Sequence, residues 1–204
     1  MALEIERRFL VRGEDWRRHI LWQARLQQGY LVAGADGFTL RVRRASGTAA
    51  VAGAWLTLKA RAAQGAGGAG QGMQALAPEG LVRQEFEYAI PPEDAGALLA
   101  MAPQQLSKWR YGLDLPGGEW VLDVFEAENA PLVVAEVEFE PESLDPGVGL
   151  GHPLALELPA WCVCELTGRH ELSNAALARC PLSHWPEAQR RELFEAVGSK
   201  PETF

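Results

Sequence analysis

The chain has 204 residues, a hydrophobic content of 48% and a formal net charge of −8. These are the proportions of an ordinary globule long enough for one sizeable core. No apolar run reaches the length of a membrane span, and the acidic pI of about 5.1 excludes a general nucleic-acid binder.

Residues 2–12 read as a strand. Asp15 is placed to cap a helix over roughly 16–25, where Trp16, Ile20 and Leu21 share a face. Strands follow at 26–33, 38–46 and 54–61. Residues 62–80 are too rich in Gly and Ala to pack and are expected to form a flexible insertion. A strand at 82–90 leads into Pro91-Pro92, which starts a helix with Ala95, Leu98, Leu99 and Met101 apolar and Pro103 ending it. Strands at 106–115 and 119–126 flank Pro116-Gly117-Gly118 and so predict a hairpin. The last predicted strand covers 132–140. Beyond Pro159 the pattern turns helical: Ser173 or Asn174 precedes a short helix, and 186–197 forms a second with Leu193, Phe194 and Val197 inward.

Charge recurs at every second position of these strands, so it falls on one face. Glu4 and Glu6, Glu85 and Glu87, and Glu136 and Glu138 each place two carboxylates side by side, about 7 Å apart at the usual strand rise. Arg41 and Arg43, Lys59 and Arg61, and Lys108 and Arg110 do the same with cations. The intervening positions are mostly apolar, as at Ile5, Val42, Leu56, Leu58, Phe86 and Val137. Like charges on adjacent same-face positions repel, and divalent metal ions together with a polyphosphate would neutralise both signs. An ordinary antiparallel sheet would leave such a face in water. Here nearly every strand carries charge in blocks of one sign, and the opposite face is apolar enough to lie under helices. The expectation is therefore an α+β fold: an eight-stranded antiparallel β-barrel enclosing a charged tunnel, helices packed outside. The whole of 1–204 reads as one domain. Cys162, Cys164 and Cys180 include no CxxC pair and the histidines are scattered, so free thiols are expected rather than zinc. Acids at positions 4 and 6 do not fit a secretory leader, and the cytoplasm is the expected location.

The string Glu4-Ile5-Glu6-Arg7-Arg8-Phe9 resembles the ExExK signature that opens the CYTH domain, the triphosphate tunnel metalloenzyme family. The likeness continues in family order through Gln28-Gly29-Tyr30-Leu31, Thr39-Leu40-Arg41-Val42-Arg43, Trp55-Leu56-Thr57-Leu58-Lys59 and Arg83-Gln84-Glu85-Phe86-Glu87-Tyr88. It runs on through Lys108-Trp109-Arg110-Tyr111, Trp120-Val121-Leu122-Asp123-Val124-Phe125, Ala135-Glu136-Val137-Glu138 and Glu165-Leu166-Thr167-Gly168. Arg8 stands where the family usually has Lys. It keeps the charge, but its fork is bulkier than an ammonium. The Gly-rich stretch 62–80 has no family equivalent.

The resemblance implies that Glu4, Glu6 and one of Glu136 and Glu138, with Glu138 favoured, hold Mg²⁺ or Mn²⁺, hard ions that take oxygen ligands. It implies that Arg8, Arg41, Arg43, Lys59, Lys108 and Arg110 clamp a triphosphate. Glu85, Glu87 and Asp123 are candidates for orienting the attacking water or holding a second metal, with a structural ion-pair role inside the tunnel as the alternative, and Lys59 is counted with these catalytic groups as well. Arg61 and Arg83 share the parity of the site but are expected on a solvated rim, and Tyr30 and Trp109 are expected to pack. The implied activity is metal-dependent hydrolysis of inorganic triphosphate to pyrophosphate and phosphate. Adenylate cyclase and thiamine triphosphatase occur on the same fold and need an organic pocket; no dedicated set of aromatic or base-reading residues is read at site-facing positions, so the simple triphosphate is preferred. A non-catalytic polyphosphate- or nucleotide-binding module would have lost the metal carboxylates, which are all present. The expected partner is the small triphosphate alone, with no nucleic acid and no membrane, and a homodimer is implied by resemblance only. The last two helices are left open as plug, lid or dimer contact.

Overall fold

Among the described residues the chain forms nine strands: β1 Ala2–Val11, β2 Ile20–Ala33, β3 Thr39–Gly47, β4 Gly53–Arg61, β5 Val82–Ala89, β6 Gln104–Leu113, β7 Glu119–Phe125, β8 Val133–Phe139 and β9 Cys162–Glu165. Three α-helices accompany them: α1 Pro92–Met101, α2 Asn174–Arg179 and α3 Glu187–Glu195. The computed structural model describes residues 2–34, 38–48, 51–61, 82–139 and 156–195, with backbone alone for 2–5, 61, 82 and 83. The predicted insertion at 62–80 and Val197 therefore lie outside the described residues, as do the side chains of Glu4, Arg61 and Arg83. No described helix is long and apolar enough to cross a membrane.

The strands form one antiparallel sheet in the order β5-β4-β3-β2-β6-β7-β8-β1-β9. β5 also pairs with β1, from Ala2 opposite Glu85 to Ile5 opposite Val82. The predicted hairpin joins β6 to β7, with Gly117 (φ +93) supplying a left-handed turn position.

Two local readings need correction. The helix expected over 16–25 is only a five-residue 3-10 turn, Asp15–His19, with no side-chain cap. From Ile20 onward the chain is the first half of β2 and pairs with β6. Trp16 is buried against Tyr111, and the sheet supplies the backbone partners that a helix would have had to make internally, so tertiary pairing overrides the local pattern. The second correction is β9, which pairs with Phe9–Val11 inside a stretch read as helical.

Side-chain parity sorts the packing. On the apolar face, Phe9, Trp16, Trp120, Leu122, Val137 and Trp161 share one core cluster. α1 buries Ala95 and Leu99 against Val42 and Ala54 on the same face. It fits closely because residue 29 is glycine: a Cβ there would stand 2.6 Å from that of Ala102. On the opposite face, at one end, Leu10, Leu106, Phe125 and Val134 are covered by Leu166, Leu172, Leu177, Leu182 and Leu193. The C-terminal helices thus close over part of the charged face, unlike α1. Each leucine so buried contributes about 1.5–3 kcal/mol.

Candidate active site

A cavity of about 670 Å³ opens on the charged face. Glu6, Arg8, Arg41, Arg43, Lys59, Glu85, Glu87, Arg110, Glu136 and Glu138 line it, as the sequence leads one to expect. Lys108 and Asp123 do not. Both are fully buried in the wall behind it.

That wall comprises β6, β7, β8 and β1 and is a continuous ionic relay. Lys108 Nζ donates to Asp123 Oδ2 at 2.5 Å and to Asn174 Oδ1 at 2.9 Å. Arg110 grips Asp123 with both Nε (2.8 Å) and Nη2 (2.7 Å), and its Nη2 also reaches Glu136 Oε2 at 2.7 Å. Arg8 Nε donates to Glu136 Oε1 at 3.1 Å, and its Nη2 donates to the Leu172 carbonyl at 3.0 Å. Burial opposes the charge on Asp123, but Arg110 and Lys108 outweigh it and hold the carboxyl well below the ordinary carboxylate range. Glu136 is likewise lowered: burial pushes it up, and Arg110, with help from Lys108 and Arg8, prevails. Burial pulls Lys108 down to about 8 despite Asp123. The expected triphosphate contact of Lys108 and the expected water contact of Asp123 are thus replaced, in this arrangement, by a buried pair.

The wall of β3, β4 and β5 is looser. Lys59 Nζ lies 2.9 Å from Glu85 Oε2, and Arg43 Nη2 lies 2.8 Å from Glu87 Oε1. Thr57 Oγ1 donates to Glu87 Oε2 at 2.7 Å. Arg41 Nη2 donates to Thr57 Oγ1 at 3.1 Å and stays 3.7 Å from both Glu85 and Glu87. Among the described residues, the buried donors Arg41 Nε, Arg43 Nε and Gln28 Nε2 have no hydrogen-bond partner. Burial, then repulsion from Arg41, lowers the Arg43 guanidinium to about 10. Orphaned donors beside crowded cations call for an anion that accepts several hydrogen bonds.

Farther along the first wall, Glu6 stands opposite Glu138 and Glu138 opposite Glu119 on adjacent strands. Like charges directly opposite one another destabilise a sheet. Among the described residues no group of three or more His, Cys, Asp or Glu could by itself hold a metal ion. The donor chemistry nevertheless fits a hard divalent cation, which commonly takes one or two protein carboxylates and completes its shell with substrate phosphates and water.

The sequence reading missed two groups of residues. From the C-terminal segment, Arg169, His170, Asn174 and Arg179 also line the cavity; no local pattern marks them, because only the folding back of the chain brings them there. The other group walls a second chamber of about 300 Å³, which shares Glu6, Arg43, Arg110, Glu136 and Glu138 with the first and adds Trp22, Leu26, Val51, Trp55 and Val121. Site-facing aromatics are therefore present. Trp22 was hidden in the predicted helix, whereas Trp55 could have been found, since it shares parity with Thr57 and Lys59. Both rings lie on glycine: a Cβ at Gly112 would collide with Trp22 Nε1, and one at Gly53 would stand 2.6 Å from Trp55 Cη2. Tyr30 packs as expected, buried in the cluster with Leu10, Leu106 and Leu172, and also borders the larger cavity.

No family model matches the chain. An inorganic triphosphatase of Nitrosomonas europaea is 33% identical over 178 residues, which are 86% of this chain and 96% of that protein. An inorganic triphosphatase of Acetivibrio thermocellus is 27% identical over 192 residues, 92% of this chain and 100% of that one. A crystal structure of an inorganic triphosphatase aligns with a TM-score of 0.52 at 30% identity, covering 87% of this chain and 95% of that one.

Proposed function

The chain belongs to the inorganic triphosphatase family and hydrolyses a phosphoanhydride, and we propose that it does so in the charged cavity, with a divalent metal ion, on inorganic triphosphate. The observation that carries this reading is the facing of orphaned guanidinium donors of Arg41 and Arg43 and the paired carboxylates of Glu6 and Glu138 in one cavity. The β1–β5 pairing supports a barrel closed around that cavity, in keeping with the CYTH resemblance.

Arg41, Arg43 and Lys59 bind the polyanion from one side, and Arg8 and Arg110 from the other; guanidinium forks suit phosphate because they donate in parallel pairs. Glu6 and Glu138, with Glu4, would hold Mg²⁺ or Mn²⁺, which when bound neutralises charge on the phosphate oxygens. Phosphoryl transfer needs chiefly positioning and electrostatic stabilisation, and a preorganised set of cations supplies both. Glu85, whose Oε2 lies 2.9 Å from Lys59 Nζ, is the candidate for orienting the attacking water.

The Trp22–Trp55 chamber favours one second reading, a triphosphate ester whose organic group lies between the indoles. One experiment separates the two. The purified protein is incubated with tripolyphosphate, ATP and thiamine triphosphate, with Mg²⁺ or Mn²⁺, and products are identified. The expected result is highest catalytic efficiency on tripolyphosphate, weak phosphate release from ATP, no cyclic AMP, and complete loss with excess EDTA. Higher efficiency on either ester would establish the second reading instead. Glu6→Gln should abolish turnover without lowering the melting temperature, because it removes a negative charge in register with Glu138; near-normal turnover would rule out the metal assignment.

A further inference from the structure

The ionic relay begins and ends on a cation, and both ends terminate on the same short turn. Arg8 donates to the carbonyl of Leu172, 164 residues away, and Lys108 donates to the carboxamide of Asn174. We propose that the turn Leu172-Ser173-Asn174 is a positioning element of the active site and that Asn174 is the positioning residue for Lys108. The catalytic consequence rests on the triphosphatase reading; the contact itself does not.

An ammonium has three donors and no acceptor. Lys108 is fully buried, and Asp123 and Asn174 are its two hydrogen-bond acceptors in the structure. Withdrawing one leaves a buried charge short of an acceptor, which is costly. Asn174 also lines the cavity, where Lys108 does not, so the carboxamide stands between substrate space and the ammonium. The turn is well fixed for such a task. Leu172 within it and Leu177 one helical turn beyond it are both fully buried, and Ser173 Oγ accepts from the Ala176 amide to cap α2. A turn held this firmly fixes the angle at which Arg8 enters the cavity and keeps Lys108 from collapsing into it.

Lys108 is one of only three lysines in the chain, with Lys59 and Lys200, so its accessibility can be read directly by reductive ¹³C-methylation of the full-length protein, followed by peptide mass spectrometry. Asn174→Ala and Asn174→Leu should lower kcat on tripolyphosphate tenfold or more and raise the Lys108 methylation rate at least tenfold. Asn174→Asp, which keeps an acceptor at the same reach, should restore both to within about threefold. A residue that merely starts a helix would give no such rescue. Should the alanine variant fail to fold, Asn174→Ser keeps a small polar group at the helix start, is too short to reach Nζ, and should show the same fast methylation. Wild-type turnover and wild-type protection of Lys108 in folded Ala, Leu or Ser variants would overturn the proposal. If the wild-type protein releases no phosphate from tripolyphosphate while Asn174→Ala exposes Lys108, the positioning contact stands and the triphosphatase reading alone fails.

Discussion

On the wall of β6, β7, β8 and β1, each carboxylate oxygen of Asp123 and Glu136 has a cation partner at 2.5–3.1 Å. On the wall of β3, β4 and β5, built from the same residue types, Arg41 stands 3.7 Å from Glu85 and Glu87, and the Nε atoms of Arg41 and Arg43 have no partner. Burial alone does not set saturation, since Arg8 and Arg41 are equally buried at 8%. A buried charge must be paired when the protein folds, whereas a cation that is to meet substrate must keep donors in reserve. The first wall is therefore mainly framework, and the second holds the donors that the proposed function assigns to the polyanion.

The sharpest test removes one anion from each wall. Asp123→Ala leaves Lys108 and Arg110 buried without their main partner and should cost about 3–5 kcal/mol of stability. Glu85→Ala, at a partly exposed site, should cost less than about 1 kcal/mol. Denaturant unfolding of both variants decides, and equal losses would dissolve the distinction between the walls.

Truncating a reserve cation should have the opposite profile. Arg41→Ala or Arg43→Ala should lower kcat/KM for triphosphate about a hundredfold, roughly 2.7 kcal/mol, with unfolding within about 1 kcal/mol of the parent. Steady-state kinetics beside calorimetry would show it.

The framework wall should also titrate as one unit. Lys108 is charged below about 8, so kcat should fall above that pH as Asp123 loses its ammonium partner, and Lys108→Met should abolish this limb. The stability contribution of Lys108 has the reverse sign. Between about 8 and its ordinary 10.5 the unfolded chain binds more protons, so stability rises with pH in that window. Asp123 and Glu136 are depressed instead. Their stabilisation is complete above the ordinary carboxylate values of 3.8 and 4.5 and is lost as pH falls through the lowered ones. Melting temperatures from pH 3 to pH 10 would test both limbs.

The smallest effect belongs to Arg8. Lysine at this position keeps a cation for Glu136 but cannot also span to the Leu172 carbonyl, so Arg8→Lys should lose about threefold to tenfold in kcat and Arg8→Ala clearly more. Equal, small losses would place Arg8 outside the substrate contacts.

The sheet was legible where alternation is long. β3, β4, β5, β7 and β8 appear within a residue or two of expectation because each carries charge on one face and apolar residues on the other. β9 was not, since four residues are too few to show a period. The start of β2 was not, because Trp16, Ile20 and Leu21 satisfy helical spacing equally well. Parity gathered the cavity residues correctly. It could not distinguish depth along the strand, so Lys108 and Arg110 were given one role although a short step takes the chain from saturated wall to open cavity. Asn174 and Arg179 carry no local signal at all, since their place depends on contacts with β6 and β2 that only the folded chain makes.

Gly112 and Trp22 face each other across β6 and β2 as ring and seat. Neither can be replaced freely while the other stands: any side chain at 112 meets the indole, and a smaller residue at 22 leaves a bare backbone and a larger hole. The order of substitution therefore matters. A descendant of this chain that widens the chamber must first shrink residue 22 and only later fill position 112, while one that begins at 112 must displace the ring before any new preference can form. Among close relatives position 112 should carry a side chain only where residue 22 is already smaller, and the size of residue 22 should foretell how large a group the chamber admits.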